Sequence, residues 1–323
     1  MFDFLGTILW PIKWVVELIL VAFHWLLTSI GLDPAAGLTW VLAIVGLTVV
    51  VRAALIPIFV RQIKNQRRML EVAPQLKKIQ EKYKGKKDQF SREAMSRETM
   101  ELYKKTGTNP LSSCLPLLLQ MPIFFSLFQV LNGAQGGHAG VGPLNAELAR
   151  QFGSSSLFDL APLHQSFSGA LNAHPQEPVV MIIAVAMVVL MTGSQFLTQL
   201  QIVSKNMSPE TKASPQFKQQ RVLLYLLPFV FLFSGFSFPL GVMFYWLTSN
   251  IWTMGQQFLV IRNMPTPGSD AAKAREARLA RKGKLVDEEG TVILSVNETE
   301  AGKKTTQRVQ PVGKNRAKKQ TGK

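Results

Sequence analysis

Apolar positions along this chain gather into long runs separated by charged segments. Runs at about 38–60, 111–131, 178–201, 222–236 and 239–261 qualify as membrane-spanning helices on length and apolarity. The first is 23 residues long, and at about 1.5 Å per residue such a helix crosses a hydrocarbon core of roughly 30 Å. The fourth run is short. Read with the fifth it forms a 40-residue apolar block, two crossings' worth, and Gly235, Pro239 and Gly241 in "SGFSFPLG" supply the turn between them. The pattern predicts an all-α integral membrane protein with five core transmembrane helices.

Between the first two runs the periodicity becomes amphipathic. Met69, Val72, Leu76, Ile79 and Tyr83 repeat at alternating steps of 3 and 4, a short heptad seam. "KGKKD" (84–88) breaks it, and a second helix follows from about Gln89 to Lys105, with Phe90, Met95 and Leu102 as its inward residues. Two short helices with one apolar edge each predict an antiparallel helical hairpin over 61–110. Pro74 marks a kink or a helix start.

Residues 8–30 are also apolar, but Lys13, Glu17, His24 and Thr28 fall on one stripe of a 3.6-residue helix, with Trp10, Trp14, Phe23 and Trp25 elsewhere around it. That distribution suits a helix lying in the membrane interface, so 1–37 is read as an N-terminal interfacial amphipathic helix, with an extra span as the alternative. The stretch has no basic n-region and no small-residue cleavage site, and is not read as a removable signal.

Charge then orients the runs. The chain carries 36 Lys and Arg against 20 Asp and Glu, a formal +16. Residues 61–110 hold 14 basic and 6 acidic side chains, 201–221 hold 4 and 1, and 262–323 hold 15 and 7. Residues 132–177 have Arg150 alone against Glu147, Asp159 and Glu177. The positive-inside rule therefore places the hairpin, 201–221 and the tail in the cytoplasm and 132–177 outside, and five crossings satisfy every segment. The tail, 263–323, is charged and poor in aromatics, the composition of a disordered segment. Its basic runs "AREARLARKGK" and "GKNRAKKQTGK" suit ribosomal RNA or anionic lipids.

The chemistry inside the runs is sparse. The single cysteine, Cys114, rules out an intrachain disulfide, and the four histidines have no ligand-like spacing. No metal, cofactor or nucleophile constellation emerges, and the chain is not read as an enzyme. Arg52 is the one charged residue within the five core runs, and none of them holds Asp or Glu. An arginine at that depth costs about 2.5–3.5 kcal/mol on insertion scales. Uncharged polar residues recur around it in sequence: Thr48, Gln120, Ser126, Gln195, Thr198, Gln199, Thr248, Ser249 and Asn250. Most such residues hydrogen-bond to neighbouring helices. A cation without an acid partner among them makes a wet cavity the economical arrangement.

Four stretches together point to a family: "TVVVRAALIPIFVRQIKNQRRM" (48–69), "APQLKKIQEKYK" (73–84), "YKKTGTNPLSSCLPLLLQMPIFFSLFQVL" (103–131) and "FPLGVMFYWLTSNIWTMGQQFLVIR" (238–262). In order and spacing, residues 38–262 resemble the YidC-type membrane protein insertases of bacteria, relatives of the mitochondrial Oxa and chloroplast Albino proteins. The resemblance implies five core helices with a cytoplasmic hairpin between the first and second. It also implies an intramembrane arginine in a hydrophilic groove open to the cytoplasm and to lipid. Arg52 matches that arginine, with Thr48 one turn before it. Gln120 matches the polar residue of "LQMP", with Met121 and Phe124 as client contacts, and Tyr245, Trp246 and Asn250 fall in "YWLTSN".

The implied activity is insertion and folding of nascent membrane proteins at the bacterial plasma membrane, alone or with the Sec translocon. The implied partners are client chains, the translocon, ribosomes and anionic lipids. Within the family the chain looks like the Gram-positive type in having no large domain before the core, but departs from that type in lacking the lipoprotein-type cysteine signal common among Gram-positive members. The long 132–177 loop has no functional account at this level. The competing readings are a scaffold of a translocation complex and a small-solute transporter, the latter disfavoured by the missing intramembrane carboxylates and repeats.

Overall fold

A computed structural model describes residues 2–86, 88–108, 115–209, 212, 222, 226, 233, 235–286 and 292–295. Its architecture is helical. In chain order the described elements are α1 (Phe2–Ser29), α2 (Gly37–Ala54), α3 (Ile56–Lys82), α4 (Gln89–Thr106), α5 (Leu115–Gln135), α6 (Ala146–Ser154), β1 (Ser156–Leu157), β2 (Ala161–Pro162), α7 (Phe167–Asn172), α8 (Pro178–Lys205), α9 (Leu240–Asn263), α10 (Asp270–Ala280), β3 (Lys284–Val286) and β4 (Val292–Ser295). Among them, Gly6–Ser29, Gly37–Ala54 and Pro178–Lys205 are long and apolar enough to cross a membrane by length and composition. The expected span at 222–236 lies almost wholly outside the described residues, as does Cys114.

The bundle centres on α9, which packs against α8 on one side and α2 on the other. Trp40, Ile44 and Leu47 of α2, Leu127 and Leu131 of α5, Val180 and Ala184 of α8, and Leu240 and Met243 of α9 form one continuous buried core. In lipid such packing depends on close fit rather than on removing surface from water. At Gly46 the fit needs a missing side chain: a Cβ there would lie 2.5 Å from the Phe23 ring of α1.

The predicted first span, 38–60, is not one helix. It ends at Ala54, and α3 starts at Ile56 with Pro57 in its first turn. Pro57 has no N–H to continue the ladder of α2, so the chain restarts there. Beyond the break, α3 and α4 pair as a hairpin, with α3 continuous through Pro74. Asp88 caps α4 by accepting from the Ser91 N–H at 2.8 Å, and Gly107 ends it in the left-handed region at φ 62°. Lys82 pairs with Glu98, and Tyr83 donates to the same carboxylate at 2.8 Å. These two partners hold the Glu98 carboxyl below the ordinary range. Phe90, expected to face inward, is 81% exposed: it sits in the first turn of α4, level with the connecting turn and past the end of α3.

The polar residues of the N-terminal helix find partners within the protein. The helix packs along α2 and α5, and its polar stripe turns inward. Glu17 is only 1% exposed and accepts from the N–H groups of Val141 at 2.9 Å and Gly142 at 2.7 Å. His24 Nε2 meets the Pro34 carbonyl at 3.0 Å, and its ring stacks on Trp40 at 4.0 Å. Lys13 donates to Gln129 of α5 at 3.1 Å. The stripe is polar because it binds protein partners, a role that periodicity alone does not distinguish from facing headgroups.

Residues 136–177 fold into a cap over the end of the bundle where α2, α8 and α9 begin. β1 pairs antiparallel with β2, Leu157 opposite Ala161. Phe152, Leu144 and Leu163 are buried beneath it, with Phe152 edge-on to Trp40 at 5.2 Å between ring centres. The cap also completes α9. The first N–H groups of a helix have no internal acceptor; here Leu240 donates to the Gln165 carbonyl at 2.9 Å and Gly241 to the Leu163 carbonyl at 3.0 Å.

The tail expectation is corrected in part. Ser269 caps α10 by accepting from Ala272 N–H at 3.2 Å, and "DAAKAREARLA" is rich in strong helix formers. Thr266 N–H donates to the Asn206 side chain at 2.9 Å, which ties this region to the end of α8. A short antiparallel pair, β3 with β4, follows. The rest of the tail lies outside the described residues.

Replacing Glu17 by Ala leaves two backbone donors of the cap without their acceptor, at a cost of about 1.5–3 kcal/mol. The expected result is a lower unfolding midpoint of the detergent-solubilised protein and faster proteolysis at 136–145, with Lys13→Ala changing both less. Equal effects of the two substitutions would contradict the Glu17 clamp.

Candidate functional site

Arg52 lies in the last turn of α2 and is half-buried. Its Nη2 and Nε donate to Ser249 Oγ of α9, at 2.8 and 3.2 Å. Tyr245 stands one turn earlier on the same helix, on the face that carries Ser249. Gln120 of α5 donates from Nε2 to the Tyr245 oxygen at 3.1 Å. A chain of polar groups thus runs Arg52, Ser249, Tyr245, Gln120, hydrogen-bonded at its two ends, and joins α2, α9 and α5. Among the described residues the ion pairs are Lys77–Glu81, Lys82–Glu98 and Arg150–Glu147, none of which includes Arg52.

Aromatic rings adjoin this polar chain. Phe124, one turn after Gln120 on α5, faces Tyr245 at 6.5 Å and Trp246 at 5.3 Å, centre to centre. Trp246 meets Phe238 edge-on at 5.0 Å, and Phe128 stacks beside Phe124 at 6.2 Å. The result is a cation and three amide or hydroxyl groups beside a set of aromatic faces. Such an arrangement offers hydrogen bonds to a polar segment and contact area to an apolar one.

Other candidates lie apart from the cluster. Thr48 is buried one turn before Arg52, but its hydroxyl donates to the Ile44 carbonyl of its own helix at 2.7 Å. Met121, next to Gln120 on α5, is exposed and makes none of these polar contacts. Asn250 donates to the Met191 carbonyl at 3.3 Å and so ties α9 to α8. Ser249 is the member that the motif reading did not single out. Its signal was available: it stands four residues after Tyr245, the spacing that puts two side chains on one helix face. Among the described residues no three His, Cys, Asp or Glu side chains gather as metal ligands.

The sequence model of the 60Kd inner membrane protein family matches residues 31–267, which include all of these positions. A protein of Tropheryma whipplei (strain Twist) named membrane protein insertase YidC is 47% identical over 323 residues, covering 99% of this chain and 98% of that one. The chain belongs to the YidC-type insertase family. Proteins of the same name from Bifidobacterium longum (36% identical over 331 residues, 98% of this chain and 96% of the relative) and Streptomyces avermitilis (43% over 276 residues, 84% and 61%) extend the likeness. As a YidC-type insertase this is a bacterial membrane protein, and the Arg52 cluster lies in the part of the chain that the family shares.

A double-mutant cycle tests the central contact. Arg52→Met and Ser249→Ala, singly and together, are expected to show a coupling of about 1.5–3 kcal/mol in denaturant unfolding of the solubilised protein, the range for hydrogen bonds to a charged group. A coupling near zero would mean that the contact adds no net stability.

Proposed function

We propose that Arg52 marks a hydrated groove through which this insertase passes the polar segments of client membrane proteins. The observation that carries the reading is a half-buried guanidinium whose partner among the described residues is a hydroxyl rather than a carboxylate. A guanidinium has five N–H donors; Ser249 accepts two, and the others suit water or an acidic group of a client. Moving a charged residue through the bilayer centre costs several kilocalories, and a polar groove reaching part-way across shortens that barrier.

In this reading Gln120 and Tyr245 extend the polar lining. Phe124, Trp246 and Met121 present apolar contacts from which a client helix moves into lipid. Burial of roughly 20 apolar client residues drives the step. A membrane potential adds about 2.3 kcal/mol per charge per 100 mV to the transfer of acidic segments. No nucleotide or covalent step enters the scheme.

The orientation that suits this function has the hairpin and tail in the cytoplasm of a cell with a single plasma membrane and the cap outside, as the distribution of basic residues favours. Clients then arrive from ribosomes, alone or through the Sec translocon, and the insertase also assists their folding. The basic segment from Lys273 to Lys284, held near the end of α8 through Thr266 and Asn206, has the charge to meet ribosomal RNA or anionic lipid headgroups.

Two measurements test this. In liposomes containing the purified protein alone, Arg52→Ala should lower protease protection of clients with acidic outer segments, and Arg52→Lys should restore part of it. Unchanged protection for all clients would remove Arg52 from the mechanism, and no protection with the unaltered protein would favour a scaffold. Deleting 263–323 should reduce co-sedimentation with ribosomes, an effect that high salt reproduces; co-sedimentation that is indifferent to the deletion assigns ribosome contact elsewhere.

A further inference from the structure

The β1–β2 hairpin of the cap turns through Phe158, Asp159 and Leu160. Phe158 and Asp159 both lie in the left-handed region, at φ 53° and 57°. Two successive left-handed residues form the tight hairpin turn that Asn-Gly or Asp-Gly fills with least strain. Here a bulky phenylalanine occupies such a position and is 78% exposed, with Leu160 62% exposed beside it. Turn chemistry does not select these residues, and neither does the core. The strands behind them are anchored: Leu157 and Ala161 are buried, Leu160 N–H donates to the Leu157 carbonyl and Leu163 N–H to the Ser155 carbonyl, both at 3.0 Å. The base is rigid and the tip is presented.

The position of the tip indicates what it meets. β1 abuts the first residue of α2, so closely that a Cβ on Gly37 would lie 2.4 Å from the Ser156 carbonyl oxygen, and β2 packs against α8. At this same end the exposed apolar faces of both helices begin, with Leu38 and Leu42 on α2 and Ile182 and Val185 on α8. In a membrane protein those faces are the lipid-contacting surface. The tip therefore stands near the level where that surface starts. The acidic Asp159 between the two apolar side chains is exposed, as befits the headgroup region.

We propose that Phe158 and Leu160 enter the lipid leaflet beside the first turns of α2 and α8, and so hold the cap against the membrane surface. Through the Gln165 and Leu163 carbonyls the same cap fixes the start of α9, the helix that carries Tyr245 and Ser249. The tip is thus an anchor for the element on which the Arg52 cluster is built.

The single native cysteine makes the test direct. In a Cys114→Ser background, Phe158→Cys, Leu160→Cys and, as a cap position away from the tip, Ser154→Cys are labelled with an environment-sensitive fluorophore. The full-length protein is then reconstituted into phosphatidylcholine–phosphatidylglycerol vesicles. Labels at 158 and 160 should shift to the blue, lose quenching by iodide and be quenched by lipids bearing a nitroxide near the headgroup more than by lipids bearing it at the chain end. The label at 154 should stay in water. Tip labels quenched by iodide as readily as the one at 154, with no response to nitroxide lipids, would overturn the proposal. So would a blue shift seen only after a partner protein is added, which assigns the tip to a protein interface. Asp159→Cys supplies the same readout at the tip if either apolar substitution disturbs the fold.

Discussion

A guanidinium among membrane helices cannot shed its charge, so the structure around it must supply hydrogen-bond acceptors or admit water. That constraint explains the arrangement of α2, α5 and α9. Arg52 on α2 reaches Ser249 on α9, the same stretch of α9 presents Tyr245, and Gln120 on α5 completes the chain of polar groups. None of these groups is an acid. A carboxylate would pair with the arginine and close the site electrostatically, whereas a hydroxyl leaves most of its charge available to whatever enters. The absence of Asp and Glu from the core runs is thus as informative as the presence of Arg52.

The cap and α1 act on the same element from the opposite end. Helix α9 can carry the cluster only if its first turn is held, and cap carbonyls accept its first two N–H groups. The cap is in turn held by the Glu17 carboxylate on α1 and by Phe152 against Trp40. What reads in sequence as a long loop and a polar stripe on an apolar helix is one supporting structure. Some of its polar contacts join segments more than a hundred residues apart, as in Glu17 with Val141.

Much of the local structure was legible residue by residue. Apolar runs of sufficient length mark the long helices, "KGKKD" separates the two arms of the hairpin, and the family motifs locate Arg52. What local pattern leaves undecided has distinct physical causes. Phe90 fits the helical period but sits beside a turn, where no facing helix exists to cover it. The stripe of Lys13, Glu17 and His24 fits an interfacial helix and a buried one equally well, because periodicity records that one face is polar and not what that face touches. The tail's composition matches disorder, yet Ser269 and an alanine-rich stretch suffice for α10. Ser249 stands among the polar residues of the runs without being marked as a site residue, because a lone serine in a membrane run is most often a local hydrogen bonder.

By itself the sequence determined the membrane class, the helical content, the charge asymmetry between connections and the family, since each depends on composition, period or motif within short windows. Only the tertiary structure decided which polar residues meet. Thr48, Met121 and Asn250 share motifs with Arg52, Gln120 and Tyr245, but lie apart from the polar chain because each bonds or faces elsewhere. Ser249 joins the chain because the packing of α9 against α2 brings its hydroxyl to the guanidinium. Spacing along a helix fixes the face on which a side chain stands; the partner on that face depends on how the helices pack, and that is a property of the whole chain.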